Sequence, residues 1–321
     1  MGSLSCVVIG DADFPKELGK IGSHSDIALY HRKVDERIYS FILPLIFPEK
    51  LSSLLVAVRL SDAAIVVVKA VTPDLGEAII ALNEFSIKEG IIILDGVVLD
   101  QVKPILKGTV LEGYSVCERS YAAVMERLSK IEAWESKGSL RLPLDHFFLT
   151  KTIGTVAVGK IERGMLKEHD KLTVLPTRKE VLVKSLESQE VTIGEAGAGV
   201  RVGVALKGIE PEELGRGFIL TDLEQEFIVS NIVSGEFTVN RFQKQPLEAG
   251  QKLQIALGLQ SESVVLKRID GKERLGANET ARIELMTETG KKLVYEAGER
   301  FIIFRPELKG LRIVGSGIVK S

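Results

Sequence analysis

Residues 143–176 read PLDHFFLTKTIGTVAVGKIERGMLKEHDKLTVLP, and this stretch decides the fold of the second half of the chain. It consists of short runs of Val, Ile, Thr and Phe separated by glycines, without the spacing of an amphipathic helix. Branched and aromatic side chains favour strands, whereas glycines favour the turns between them. The stretch therefore predicts consecutive β-strands of an antiparallel barrel.

The same pattern begins after ESKGSLRLP, residues 135–143, and continues to the end of the chain. A second barrel is predicted from Glu226 onward, with a hairpin at IDGKERL, residues 269–275. The first barrel ends near Thr221, and its predicted strands are Phe147–Lys151, Gly154–Ile161, Lys171–Leu175, Val181–Ser188 and Ala198–Lys207.

The first part of the chain alternates apolar runs with helical patterns, which is typical of a parallel sheet covered by helices. Helices are predicted over residues 48–60 and 74–90, the second ended by Gly90. A last helix carries an apolar stripe of Tyr121, Val124, Leu128 and Ile131. The predicted strands are Cys6–Ile9, Asp26–Tyr30, Tyr39–Leu43, Ala63–Val68, Ile91–Leu94 and Tyr114–Cys117. We thus expect an α/β domain over 1–137 and barrels over 138–223 and 224–321.

This order of domains resembles the translational GTPases of the elongation factor Tu and SelB type. Residues 143–176 look like the opening of that family's second domain, and AGVRVGVALKGIEPEELGRGFIL, residues 198–220, looks like its close. GLQSESV, ERFIIFR and RIVGSGIV continue the resemblance through the third domain. Within the family, the chain is most similar to the SelB-like "EF-Pyl" proteins of methanogenic archaea. The resemblance implies a P-loop-type G-domain followed by two β-barrels.

The first domain lacks the phosphate loop that the resemblance implies. A phosphate loop has the pattern G-x-x-x-x-G-K-[ST], in which glycines let backbone N–H groups converge on phosphates, Lys reaches them and the hydroxyl holds magnesium. After Gly10 this chain continues DADFPKELGK instead. Asp11 and Asp13 would repel phosphate, Pro15 removes a backbone donor, and neither Lys16 nor Lys20 begins a Lys-Ser/Thr pair.

The other nucleotide motifs of the family are replaced as well. The D-x-x-G that ends the third strand is LPLIFP here, with Leu43 at the acidic position, and N-K-x-D is LDGVV. Asp95 and Asp100 follow, and we interpret both as turn or capping residues. Three charge-assisted contacts of about 1.5 to 3 kcal/mol each would be lost, on the order of 5 to 9 kcal/mol together. We therefore expect a degenerate G-domain that binds neither GTP nor Mg²⁺ and has no GTPase activity. An unrelated ligand at the carboxyl edge of the sheet is an open alternative.

In this family the second domain holds the aminoacylated 3′ end of transfer RNA. By resemblance, the pocket in this chain consists of Asp145, His146, Phe148, Glu187 and Arg201. An Arg suits an anionic group because its guanidinium stays charged and forks two hydrogen bonds. The alternative is structural: Phe148 would be barrel core, and Asp145 with Arg201 an exposed pair worth at most about 1 kcal/mol.

The third domain would lie along the transfer RNA stems by the same resemblance. From Gln225 onward the chain has 15 Lys and Arg against 12 Asp and Glu, a mildly basic balance. Shape-based RNA binding needs such a sequence-independent set of cations. The possible phosphate contacts are Arg241, Lys244, Lys267, Arg268, Lys291, Lys292, Arg300 and Arg305.

Composition narrows the remaining classes. A net charge of -2 and a pI near 6.2 argue against a basic DNA coat, and no apolar run reaches the roughly 18 residues of a membrane span. Two distant cysteines and four scattered histidines give a metal site no support. We expect a cytoplasmic, non-enzymatic partner of transfer RNA or the ribosome. A protein-interaction scaffold without RNA binding is the second interpretation, and an active GTP-binding elongation factor the third.

Overall fold

The computed structural model describes residues 2–132 and 136–320. Contacts divide these residues into two compact units. The first unit contains the residues up to 132 together with Phe304–Val314, and the second contains the rest. The predicted fold class is confirmed: an α/β domain is followed by two antiparallel β-barrels.

The first unit is built on one mixed sheet with the strand order β2-β3-β4-β1-β5-β6-β7. Strands β4, β1, β5, β6 and β7 run parallel, whereas β2 and β3 form an antiparallel extension beyond β4. The strands are β1 Gly2–Ile9, β2 Lys20–His24, β3 Ile27–Val34, β4 Arg37–Pro44, β5 Ala63–Val68, β6 Glu89–Leu94 and β7 Ser115–Cys117. The central strands are buried on both faces, as expected for a parallel sheet covered by helices.

Five α-helices connect the strands of this sheet: α1 Phe14–Leu18, α2 Leu51–Arg59, α3 Pro73–Glu84, α4 Leu99–Leu106 and α5 Tyr121–Ser129. Helix α3 begins at a Thr72 cap, whose side chain accepts a hydrogen bond from the Leu75 N–H at 3.2 Å. The prediction that Gly90 ends α3 is wrong, since the helix stops at Glu84. Gly90 lies in β6, where a Cβ atom would meet the Tyr114 ring at 2.2 Å.

The apolar stripe of α5 is confirmed in part. Val124 and Leu128 are buried, and Ile131 packs against the same core just after the helix. Tyr121 is instead exposed, with the Arg32 guanidinium 4.6 Å from the centre of its ring. The Tyr121 ring therefore makes a cation–π contact at the surface and does not pack in the core.

The first barrel closes through six strands in the order β11-β16-β8-β9-β15-β12, with β12 returning to β11 and β13 appended at β12. Its core contains Leu142, Leu144, Val174, Val183 and Val204. The strands are β8 Leu142–Thr150, β9 Gly154–Lys160, β10 Met165–Lys167, β11 Lys171–Leu175, β12 Lys179–Ser188, β13 Val191–Ile193, β14 Glu195–Gly197, β15 Arg201–Lys207 and β16 Ile219–Thr221.

The second barrel closes in the order β18-β23-β21-β20-β25-β26. The predicted hairpin at residues 269–275 is wrong, because the two strands that flank this turn pair with other strands. The strands are β17 Ile228–Ser230, β18 Ile232–Val239, β19 Leu247–Glu248, β20 Lys252–Leu257, β21 Gln260–Ile269, β22 Arg274–Leu275, β23 Thr280–Thr287, β24 Leu293–Tyr295, β25 Arg300–Phe304 and β26 Ile313–Val319.

A buried charge cluster joins the two barrels within the second unit. The Arg141 side chain contacts Glu162 at 2.7 Å, Glu296 at 2.9 Å and Glu299 at 2.8 Å. Burial opposes the charge of Arg141, but the surrounding carboxylates raise its pKa above the ordinary value. The cluster therefore ties the first barrel to the second by ionic hydrogen bonds.

Candidate functional site

The five residues of the predicted pocket belong to three strands of the first barrel, β8, β12 and β15. Strand β8 starts at Leu142, five residues earlier than predicted, so Asp145 and His146 lie inside it. The register between β8 and β9 shifts between Leu144 and His146, which marks a β-bulge at Asp145. A bulge turns one side chain out of the regular alternation, and here it directs the Asp145 carboxylate to Arg201 on β15.

Asp145, His146 and Arg201 form one hydrogen-bonded cluster. Both terminal nitrogens of Arg201 contact the Asp145 carboxylate, with Nη2 at 2.7 Å from Oδ1. His146 Nδ1 lies 2.5 Å from the same Oδ1, and Arg216 Nε donates to the Asp145 backbone oxygen at 3.2 Å. The Asp145 side chain has no exposed surface, whereas 16 % of the Arg201 side chain is exposed.

The charge state of this cluster follows from its contacts. Burial opposes ionisation of Asp145, but Arg201 and the adjoining His146 ring hold the pKa of its carboxyl below the usual value. Asp145 is therefore an anion at neutral pH and offsets the guanidinium that it orients. This fixed fork gives the site a preorganised donor plane.

Glu187 and His146 stand in one row across four strands. Glu187 on β12 pairs with Gly203 on β15, Gly203 pairs with Val158 on β9, and Val158 pairs with His146 on β8. Residues directly opposite in antiparallel ladders project to the same face. The row spans three interstrand spacings, roughly 14 Å.

Phe148 completes this outer face of the barrel. It pairs with Val156, two residues along β9 from Val158, and 48 % of its surface is exposed. Arg201 lies two residues from Gly203 and therefore projects to the same face. We call this surface the β8–β12 face: Asp145, His146, Phe148, Val156, Val158, Glu187, Arg201 and Gly203.

The alternative interpretation of the pocket residues as purely structural makes two claims, and both are wrong. Phe148 is not barrel core, since about half of it is exposed, and core packing falls to its neighbour Phe147. The Asp145–Arg201 pair is not exposed either, so the estimate for a surface ion pair does not apply to it.

The predicted basic residues of the second barrel do not form one equivalent set. Arg305 is buried, so the prediction that it contacts phosphate is wrong. Arg300 donates to the Ser316 hydroxyl at 3.1 Å, while Arg241 lies over the half-exposed Phe242 ring at 4.7 Å and Lys244 is exposed. Of the remaining four, Arg268 pairs with Asp270 and Lys291 with Glu262, whereas Lys267 and Lys292 are exposed.

A second site of interest is the carboxyl edge of the sheet in the first unit, where Asp11 follows β1. Its side chain is only 3 % exposed. Oδ1 accepts backbone hydrogen bonds from Asp13 at 2.9 Å and Phe14 at 3.2 Å, and Oδ2 lies 3.0 Å from Lys69 Nζ. Burial opposes ionisation of Asp11, but these hydrogen bonds and Lys69 hold its pKa below the usual value.

Arg119, which follows β7, completes a charge cluster at this edge. Its Nη2 lies 3.1 Å from Asp11 Oδ2 and 2.8 Å from Glu17 Oε1, and its Nε lies 3.9 Å from Asp95 Oδ2. Its guanidinium also stacks 4.9 Å from the centre of the Phe14 ring. We call Asp11, Glu17, Lys69, Asp95 and Arg119 the strand-end cluster.

The other residues at the positions expected for the nucleotide motifs also lie in defined local surroundings. Lys16 pairs with Asp13 at 2.6 Å on the surface, and Asp100 pairs with Lys103 at 2.7 Å in the first turn of α4. Pro15 lies in the first turn of α1, and Leu43 is buried near the end of β4. Lys20 is exposed at the start of β2. Asp100 thus lies inside α4, and the interpretation of it as a turn or capping residue is wrong, because Val98 holds the cap position.

Sequence reasoning assigned no site role to Lys69, Arg119 and Arg216. A usable signal existed for Lys69 and Arg119, because each follows a predicted strand and carboxyl ends of parallel strands meet at one edge. Within the two described stretches of chain, no group of three or more His, Cys, Asp and Glu residues is arranged to hold a metal ion. None of the described helices combines the length and apolarity needed to cross a membrane.

Comparison with known families and proteins places these features in context. Residues 154–221 match the family model of elongation factor Tu domain 2. An uncharacterized protein of Methanocaldococcus jannaschii is 32 % identical over 304 residues, which is 94 % of each chain. The selenocysteine-specific elongation factor of the same organism is 31 % identical over 199 residues, covering 56 % of this chain and 41 % of that protein.

The solved structure of translation elongation factor SelB from Methanococcus maripaludis, in complex with the GTP analogue GppNHp, has the same fold. Its TM-score is 0.81 at 23 % identity, and the match covers 100 % of this chain and 79 % of that one. An α/β domain followed by two barrels is the domain order that this chain shares with that elongation factor. The chain belongs to one family with the uncharacterized Methanocaldococcus jannaschii protein, and it is similar in fold to SelB-like proteins related to the translational GTPases.

Proposed function

We propose that the protein binds the aminoacylated 3′ end of transfer RNA on the β8–β12 face and does so without GTP. The observation that carries this proposal is the Asp145–His146–Arg201 cluster, which lies on one face with the exposed Phe148 and Glu187. The face is about as wide as one nucleoside with an attached acyl group. A preorganised guanidinium and an exposed ring supply hydrogen bonds and stacking to such a ligand.

Independence from GTP is supported by the strand-end cluster. The position after β1 carries a buried carboxylate whose two oxygens accept from two backbone N–H groups, Lys69 and Arg119. A phosphate in this place would face the Asp11 anion where it needs donors. Displacing Asp11 would also remove the anion that Lys69 and Arg119 share.

The first test measures binding of matched aminoacylated and deacylated transfer RNA by filter retention at several salt concentrations. We expect the native protein to prefer the aminoacylated form and Phe148→Ser to lose that preference. Phe148 is exposed, so the substitution leaves the fold intact. Leu149→Ser, at a neighbour that is even more exposed and lies on the opposite face of β8, is the matched control and should retain the preference. Arg201→Ala should abolish it.

Equal, weak binding of both forms by the native protein would contradict the proposal. In that case, protein partners retained after ribonuclease treatment of a pull-down would favour an interaction scaffold. Binding of transfer RNA should weaken with salt, because backbone contacts release counterions.

The second test is titration calorimetry with GTP and GDP in the presence of Mg²⁺. We expect no saturable binding in the micromolar range. A dissociation constant at or below that range would refute the GTP-independent part of the proposal and leave the transfer RNA part to the first test.

A further inference from the structure

A cavity of about 370 Å³ opens at the carboxyl ends of β4, β1 and β5, next to the strand-end cluster. Strands β2, β3 and β4 lie on one side of β1 in the sheet, and β5, β6 and β7 lie on the other. The cavity therefore lies where the strand order reverses. Open α/β sheets bind ligands at this switch point. The β8–β12 face belongs to the second unit and contributes no residue to this cavity.

The walls of the cavity are mostly apolar. The strand ends contribute Val8, Ile9, Leu43 and Val67, and the segment after β4 contributes Leu45, Phe47 and Pro48. Pro44 of β4, Leu75 of α3 and the small side chains Ala12 and Ala70 complete the apolar lining. Cavities of this size and composition are typical of small-molecule sites.

The polar lining consists of Asp11, Lys69, Thr72 and Asp74. Asp11 already accepts four contacts and offers little to a ligand cation. Lys69 is 51 % exposed and contacts Asp11 with its ammonium group, which has three donors. Lys69 is therefore the group best able to donate to a ligand.

We propose that this cavity binds a small, uncharged, mostly apolar molecule whose carbonyl oxygen accepts a hydrogen bond from Lys69. At about 30 Å³ per water molecule, the cavity holds the volume of about a dozen waters, which corresponds to a ligand of about ten non-hydrogen atoms. Asp11 and Asp74 disfavour a phosphate or carboxylate ligand, because the lining contains two acids and one Lys. The apolar walls favour a planar or aliphatic ring body.

The test compares 1-indanone with indane, two ligands of one shape that differ in the carbonyl. Ligand-observed NMR titrations on the full chain give both dissociation constants. We expect 1-indanone to bind about fivefold more tightly than indane, as for one hydrogen bond to a charged donor in a half-exposed site. Lys69→Met should remove this difference, and Lys69→Arg should retain it.

Two further variants locate the binding. Ala70→Trp fills the cavity from an exposed lining position and should abolish binding of both ligands. Val71→Trp, at the adjacent exposed position outside the lining, is the control and should leave both constants unchanged. The proposal is overturned if neither ligand binds the native protein, if the two tryptophan variants behave alike, or if benzoate binds more tightly than 1-indanone.

Discussion

The Asp145–Arg201 pair gives the sharpest test of the β8–β12 face, because its two members are buried unequally. Arg201→Met keeps the volume of the side chain but leaves the Asp145 carboxylate without its cation. Asp145→Asn keeps the shape and one acceptor but leaves the guanidinium without its anion. We expect the first change to cost more stability than the second.

The magnitude follows from burial. Asp145 has no exposed side-chain surface, so water cannot replace the lost Arg201, and removing one partner of a buried pair costs about 3 to 5 kcal/mol. Arg201 keeps some exposure and can recruit water, so Asp145→Asn should cost about 1 to 3 kcal/mol. In the double variant neither charge is stranded. Its loss of stability should therefore be smaller than the sum of the two single-variant losses by at least about 1.5 kcal/mol.

The assay is urea unfolding of the native protein and the three variants by circular dichroism at pH 7 and pH 4. Arg201→Met strands a carboxylate, so the pKa of Asp145 should rise and the stability deficit of this variant should shrink as the pH falls. Equal losses for the two single variants, or a coupling below about 0.5 kcal/mol, would refute the view that the pair is a buried, mutually dependent unit.

Three further predictions concern the first unit. The folded-state pKa of Asp11 is depressed, so its contribution to stability is present above the ordinary carboxyl pKa of 3.8 and is lost as the pH falls through the folded value; acid unfolding should therefore be shallower in Asp11→Asn than in the native chain. Glu77→Gln should cost about 3 kcal/mol in thermal unfolding, since it leaves the largely buried Arg312 guanidinium, 2.5 Å from Glu77 Oε2, without this anion. Gly90→Ala should destabilise by about 1 to 3 kcal/mol because its Cβ would overlap the Tyr114 ring, and Tyr114→Phe should not relieve it.

The sequence predicts the central strand β5 more accurately than the end of α3. Parallel strands buried on both faces are continuous apolar runs, so Ala63–Val68 is predicted with its exact bounds. Helix α3 ends at Glu84, where Phe85 caps it and Ser86 takes a positive φ of 59°. No glycine marks that stop, so the sequence pattern places the end of the helix at the nearest glycine downstream, Gly90. That glycine serves the close approach of an aromatic ring, which only tertiary packing reveals.

The candidate site was predicted as a set of residues but not as a geometry. Resemblance supplied Asp145 and Arg201, which lie 56 positions apart, whereas the bulge that directs one to the other breaks the two-residue alternation of β8. A bulge depends on the partner strand, and the residues of one strand do not identify the strand that pairs with it. The burial of the pair, and with it the expected energy, therefore became available only from the fold.

The strand-end cluster balances its charges within the chain at the carboxyl edge of the sheet. Removing a bound anion from a site that holds cations would leave their charges repelling one another. Here Asp11 and Glu17 provide the anions from within the chain, and Lys69 and Arg119 contact them within 3.1 Å. Both cations of the cluster thus have anions within the chain. Arg119→Met removes one of these cations. If the cluster takes the place of a bound nucleotide, this variant should lose stability, and added GTP should not restore it.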